Sequence, residues 1–168
     1  MAGTINPEDC IAAIKTIIEA DEGAKWSALT TEYTSTGPLV LADIEKIWTA
    51  PQERYPDKTS LVIVAVTTER AEEYGENNIY LHTLAFEVLE RNNEEQSPFS
   101  SGEVLTKRIH RRVRGIHEIL EAKRTLDDGS AVNADGLDFG PVAYSELDAT
   151  GTLLEKRAEM SLTVLVAV

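Results

Sequence analysis

The chain has 168 residues, 42% of them hydrophobic, a share that suits a folded globular protein and is too rich for a disordered one. Sixteen Lys and Arg stand against twenty-nine Asp and Glu, and the net charge of −13 argues against a general DNA or RNA binder. The lone Cys10 excludes an internal disulfide, no apolar run is long enough to span a bilayer, and MAGTINPEDC lacks the parts of a signal peptide. A soluble protein with no membrane contact, folded in cytosol-like conditions, is therefore expected.

The length fits one domain over 1–168. Its first element is a helix: Asn6 can cap it, Pro7 suits the first helical position, and Glu8 and Asp9 complement the positive end of the dipole. Cys10, Ile11, Ile14, Ile17 and Ile18 share one side at helical spacing, which makes Cys10 a small core residue, and Gly23 is the expected stop. TTEYTSTG reads as a loop ending at Gly37-Pro38. LVLADIEKIWTAP is ambiguous in period, either a short strand or an extended arm. LVIVAV, residues 61–66, is a buried strand, and the charged TTERAEEYGENN after it is a loop or long hairpin connection.

IYLHTLAFEVLE, residues 79–90, alternates, placing Tyr80, His82, Leu84, Phe86 and Val88 on one face. Ile79, Leu81, Ala85 and Leu89 lie on the other, so both sides should be at least partly covered. RNNEEQSPFSSGE connects to a second helix, from about Glu103 to Arg124, capped by Ser100 or Ser101. Its core stripe is Leu105, Ile109, Val113, Ile116 and Leu120. After the turn-rich TLDDGSAVNADG, two β segments close the chain, GLDFGPVAYSEL and RAEMSLTVLVAV, separated by DATGTLLEK. The expected fold is α+β, an antiparallel sheet with two amphipathic helices on one face, in the order α-β-β-α-β-β.

Motifs for chemistry are missing. There is no P-loop, dinucleotide fingerprint, HExxH or GxSxG. His110 and His117 lie two helical turns apart, too far to share one metal without a third ligand between them, and His82 reads as a satisfied core or interface histidine. NADGLD, residues 133–138, would place a calcium loop's ligands at Ala131 and Val142, which cannot bind the ion, so it reads as a turn. Glu72-Glu73 and Asp127-Asp128 read as solvated. No catalytic residue, metal or cofactor is expected.

The sharpest feature is KRIHRRVR, residues 107–114, which holds five of the sixteen cations. Lys107, His110, Arg111 and Arg114 form an outward ridge, with Glu118 in reach of Arg114. Arg112, with Arg108 a little further out, borders the core stripe and must snorkel or meet an acid. Three uses compete for the block: a subunit interface with acidic loops, a solvated face, and a nucleic-acid contact.

The order of elements resembles the tail terminator (tail completion) proteins of long-tailed bacteriophages. The likeness lies in the opening helix PEDCIAAIKTIIEA, the lead-in and strand RYPDKTSLVIVAV, the strand IYLHTLAFEVLE, the long second helix and the closing hairpin. The segment from Leu41 to Pro56, with Trp48, has no counterpart in it. The resemblance implies a structural virion protein without catalytic residues, present in host cytoplasm during assembly. Such proteins form a ring, a hexamer, that caps the tail tube and joins it to the head or neck connector. Implied partners are other copies of the chain, the tail tube protein and the connector or adaptor, with DNA only as genome passing through the lumen. KRIHRRVR would then lie at a ring contact or face the lumen, and loops 68–78, 91–101 and 127–136 would meet neighbouring rings. A head-completion or connector-adaptor protein is the related alternative. From other classes come a nucleic-acid-binding module using helix 103–124 and an enzyme of unrecognised type.

Overall fold

The computed structural model describes residues 6–56, 58–71, 78–93, 102–126, 132, 134–150 and 153–168. Helix α1 spans Pro7–Glu32, and the Asn6 side-chain oxygen accepts the Glu8 N–H at 3.1 Å at its start. The stop expected at Gly23 does not occur. Gly23 is exposed, where a helical glycine costs about 1 kcal/mol relative to alanine. Burying Trp26 and Leu29 further along outweighs that, at roughly 1.5–3 kcal/mol for a large apolar side chain. The helix closes instead at Thr34, whose φ of 49° is left-handed. There Thr34 N–H donates to Thr31 O at 3.1 Å and Ser35 N–H to Thr30 O at 2.8 Å, a double closure usually built on glycine.

A 3-10 turn at Gly37–Leu39 leads to an extended arm and then strand β1, Lys46–Trp48, so both readings of this stretch hold in part. Strand β2 is Ser60–Arg70 and β3 is Ile79–Asn93; helix α2 is Gly102–Ala122; β4 is Gly136–Tyr144, β5 Asp148–Thr150 and β6 Leu153–Ala167. The sheet runs β1-β2-β3-β6-β4, with β5 also pairing β6. All its pairings are antiparallel except β1 with β2, which makes the sheet mixed rather than wholly antiparallel. DATGTLLEK is no simple spacer, since β5 and the start of β6 pair within it. The expected order holds for the long elements, with two three-residue strands added. Ser100, Ser101, Glu72-Glu73 and Asp127-Asp128 lie outside the described residues, as does most of loops 68–78, 91–101 and 127–136.

Both helices pack on the same side of the sheet. Leu61 and Ile63 of β2, Leu84, Phe86 and Val88 of β3, and Leu162, Val164 and Val166 of β6 face them and form one core with the α1 and α2 stripes. His82 shares this face, fully buried, with Nδ1 3.0 Å from Thr68 Oγ1. Cys10 is buried there too, and burial pushes its thiol up to about 11, well above the range of a reactive thiol. Where α1 crosses α2, a Cβ on Gly115 would sit 2.2 Å from the Trp26 ring. The close approach of the helices requires glycine at that position. Gly115→Ala should therefore destabilise the fold by about 1–3 kcal/mol, the usual cost of overpacking, as a lower urea midpoint with unchanged slope. Cys10 should ignore a thiol reagent in native protein and react on unfolding.

Candidate functional site

KRIHRRVR lies in the first half of α2, and the fold draws its charges inward. Arg112 is fully buried. Its Nε donates to Glu90 Oε1 at 2.8 Å, one terminal nitrogen donates to Ala42 O at 2.8 Å, and the other is 3.4 Å from Thr59 Oγ1. The guanidinium lies 4.4 Å over the Trp26 ring, a cation–π contact away from water. Glu90 Oε2 takes Thr59 Oγ1 at 2.9 Å and pairs with a terminal nitrogen of Arg108 at 2.8 Å. Trp26 Nε1 donates to Glu22 Oε2 at 3.0 Å, and the same oxygen accepts Ile44 N–H at 2.9 Å. One connected polar cluster thus joins α1, the arm, the start of β2, β3 and α2.

Expected at a subunit boundary, Arg108 and Arg112 meet their acid within their own chain, and the buried Arg112 is out of reach of any partner. Burial alone would push the Glu90 carboxyl up. The charges of Arg112 and Arg108, with hydrogen bonds from Arg112 and Thr59, outweigh burial and hold it below its ordinary 4.5. The sequence carried a signal for this residue: Glu90 continues the apolar alternation of Tyr80 to Val88, a lone acid on a core-facing row.

The outward ridge is also engaged. Arg114 forks onto Glu32 at 2.7 and 3.1 Å, donates to the Tyr33 hydroxyl at 2.7 Å and pairs with Glu118 at 2.7 Å. Arg111 donates to Ser35 Oγ at 2.8 Å and lies 4.3 Å over the Tyr33 ring. Helix α1 has no basic residue in its own last turn, so Arg111 and Arg114 supply the positive charge that its carbonyl end favours. Lys107 pairs with Glu103, and the His110 ring meets Tyr144 edge-on at 4.6 Å. His117 packs against Phe139 rather than joining His110 at a metal, and among the described residues no three ligand side chains gather. In NADGLD, Asn133 lies outside the described residues, while Asp135 accepts the Ala167 N–H at 2.7 Å.

The opposite face of the sheet has a different character. Among the described residues no helix covers it. Segment 49–56 comes down on it at one side, where an Arg91 terminal nitrogen donates to Tyr55 O at 2.7 Å and Pro56 O at 3.1 Å. Tyr55 meets the Trp48 ring edge-on at 6.3 Å. Arg91, Glu155, Arg157 and Glu87 then form an alternating chain of ion pairs across β3 and β6. Beside that chain lies a groove of about 440 Å³, with Val62, Val64 and Ala85 on its floor and Pro51, Pro141 and Ala143 at its walls. The β4 wall bends at a bulge where three steps, Phe139 to Val142, match two on β6; Gly140 there lies so close that a Cβ would fall 2.0 Å from Ser161 Oγ.

No family model matches this sequence, and no curated protein matches it either. No helix among the described residues is long and apolar enough to cross a membrane.

Arg112→Ala should cost about 3–5 kcal/mol, because it strands a buried carboxylate, and should lower the thermal midpoint far more than Arg114→Ala on the exposed side. The lowered Glu90 value has a signed consequence. Its stabilisation is fully present above the unfolded-state value near 4.5 and is lost as pH falls through the folded value. Urea midpoints should therefore drop below about pH 4.5, and less steeply in Glu90→Gln.

Proposed function

We propose that this chain is a non-catalytic assembly component, a ring-forming structural protein of the tail-completion kind that joins a phage tail tube to the neck. The observation that supports this reading is the one-sided sheet. Two helices cover one face, while the other keeps an apolar-floored groove between chain walls, a surface suited to being covered by another protein. The same surface also suits the related reading, a head-completion or connector adaptor.

The basic helix has a narrower part in this reading than its composition suggests. Arg108 and Arg112 hold the interior, Arg111 and Arg114 hold the end of α1, and Lys107 and His110 are the members most open to a neighbouring copy. A nucleic-acid module would need several of these cations free for phosphate, yet most already sit on acids of the chain. A lumen-facing role is left to the exposed Lys107 and His110.

Light scattering coupled to size exclusion tests the ring. The expected result is a closed multiple of the 18.5 kDa protomer, populated increasingly with concentration. A strict monomer at every concentration, together with tight salt-sensitive DNA binding, would sink the reading in favour of the nucleic-acid module.

A further inference from the structure

We infer that the groove on the helix-free face receives an extended segment of a different protein, one that carries lysine or arginine between small apolar residues. The inference rests on reading that face as an assembly surface, and it names the partner's chemistry. It does not depend on ring formation.

The groove combines two features that ask for different things. Its floor is apolar, made by the short side chains of Val62 and Val64 of β2 and Ala85 of β3. Along the same face, Glu87 and Glu159 stand directly opposite each other in the β3–β6 register. Like charges in that position destabilise a sheet. Arg157 relieves only one of them: a terminal nitrogen holds Glu87 at 2.5 Å while its Nε holds Glu155. Among the described residues no cation pairs with Glu159, which is exposed and lines the groove. A lysine or arginine laid along Val64 and Ala85 would bury its aliphatic stem on the floor and bring its charge to Glu159. A cation with apolar neighbours satisfies both features, and a purely polar basic segment satisfies one.

The charge pattern also favours a different protein over a second copy as the occupant. Copies carry −13 each, and their cations are largely committed. The basic block of α2 sits on Glu90, Glu32, Glu118 and Glu103, Lys25 sits on Glu118, Lys58 on Glu45 and Arg124 on Glu121. A partner of opposite charge is the complementary one.

The test is fluorescence anisotropy with three labelled peptides: Val-Lys-Val-Arg-Val, its acidic counterpart Val-Glu-Val-Glu-Val, and the polar basic Ser-Lys-Ser-Arg-Ser. The first should bind wild-type protein saturably and the other two much more weakly. Glu159→Lys, a surface change outside the core, should weaken the first peptide on the order of tenfold or more, about what one lost charge contact gives, with unchanged circular dichroism. Equal binding of the polar basic peptide would show diffuse attraction and overturn the inference, as would an unaltered affinity in Glu159→Lys. Light scattering on Glu159→Lys separates the two readings. An unchanged oligomer mass is expected; loss of an oligomer that wild type forms would make a second copy the occupant, overturning the inference while leaving ring formation intact.

Discussion

The contact between Glu90 and Arg112 is the constraint on which the arrangement of the rest depends. A charged pair with neither side chain exposed is tolerable only when both ions are surrounded by donors and acceptors in good geometry. Here those groups come from five parts of the chain: Trp26 and Glu22 on α1, Ala42 and Ile44 on the arm, Thr59 before β2, Glu90 on β3, and Arg108 with Arg112 on α2. Moving any one of them leaves a buried charge short of a partner. The cluster therefore fixes how the helices sit on the sheet more tightly than apolar packing alone, which tolerates sliding between side chains of similar size. Two guanidinium groups share the Glu90 carboxylate, and among the described residues Arg108 Nε is buried without a hydrogen-bond partner.

Charge is thus handled differently on the two sides of the sheet. On the helix side, Arg108 and Arg112 are drawn inside and share the single carboxylate of Glu90. The other side arranges its charges as a line of ion pairs beside an apolar floor, with Glu159 left over. The same sheet serves as a rigid internal wall on one face and as a platform on the other. Its central strands β3 and β6, each fifteen residues long and paired along their length, make that platform stiff.

Much of the fold was legible in the residues, for identifiable reasons. Asn6-Pro7 and the isoleucine stripe marked the start of α1, and strict alternation marked β3 and β6. Leu105 to Leu120 marked α2, whose bounds differ from expectation by two residues at most. Gly23 misled because helix termination depends on the residues downstream of a candidate stop, and Trp26 is worth burying. Thr34 could not be foreseen as the true closure, since threonine rarely takes a left-handed backbone. The parallel pairing of β1 was hidden in three residues of ambiguous period. For the candidate site, Arg112 was expected either to snorkel or to meet an acid; it meets Glu90, whose place beside it is a matter of tertiary pairing. The residues pointed to an acidic neighbour for Arg108 and Arg112, and within the chain Glu90 holds both. The groove was invisible for a related reason: Glu87 and Glu159 face each other only through a register set by β3 and β6.

The parallel strand β1 has a consequence for how such a surface can change. A parallel neighbour cannot be reached by a tight hairpin, so the chain between Trp48 and Ser60 must travel back along the sheet before β2 begins. That return path supplies Pro51 at the groove's wall and is tethered through the carbonyls of Tyr55 and Pro56, ahead of Thr59, which joins the buried cluster. Lengthening or shortening its first part, residues 49–54, would widen or narrow the groove while Thr59 keeps its buried contacts with Glu90 and Arg112. The shape of the platform is in this sense adjustable by insertion and deletion, a freedom that the fully covered face does not have.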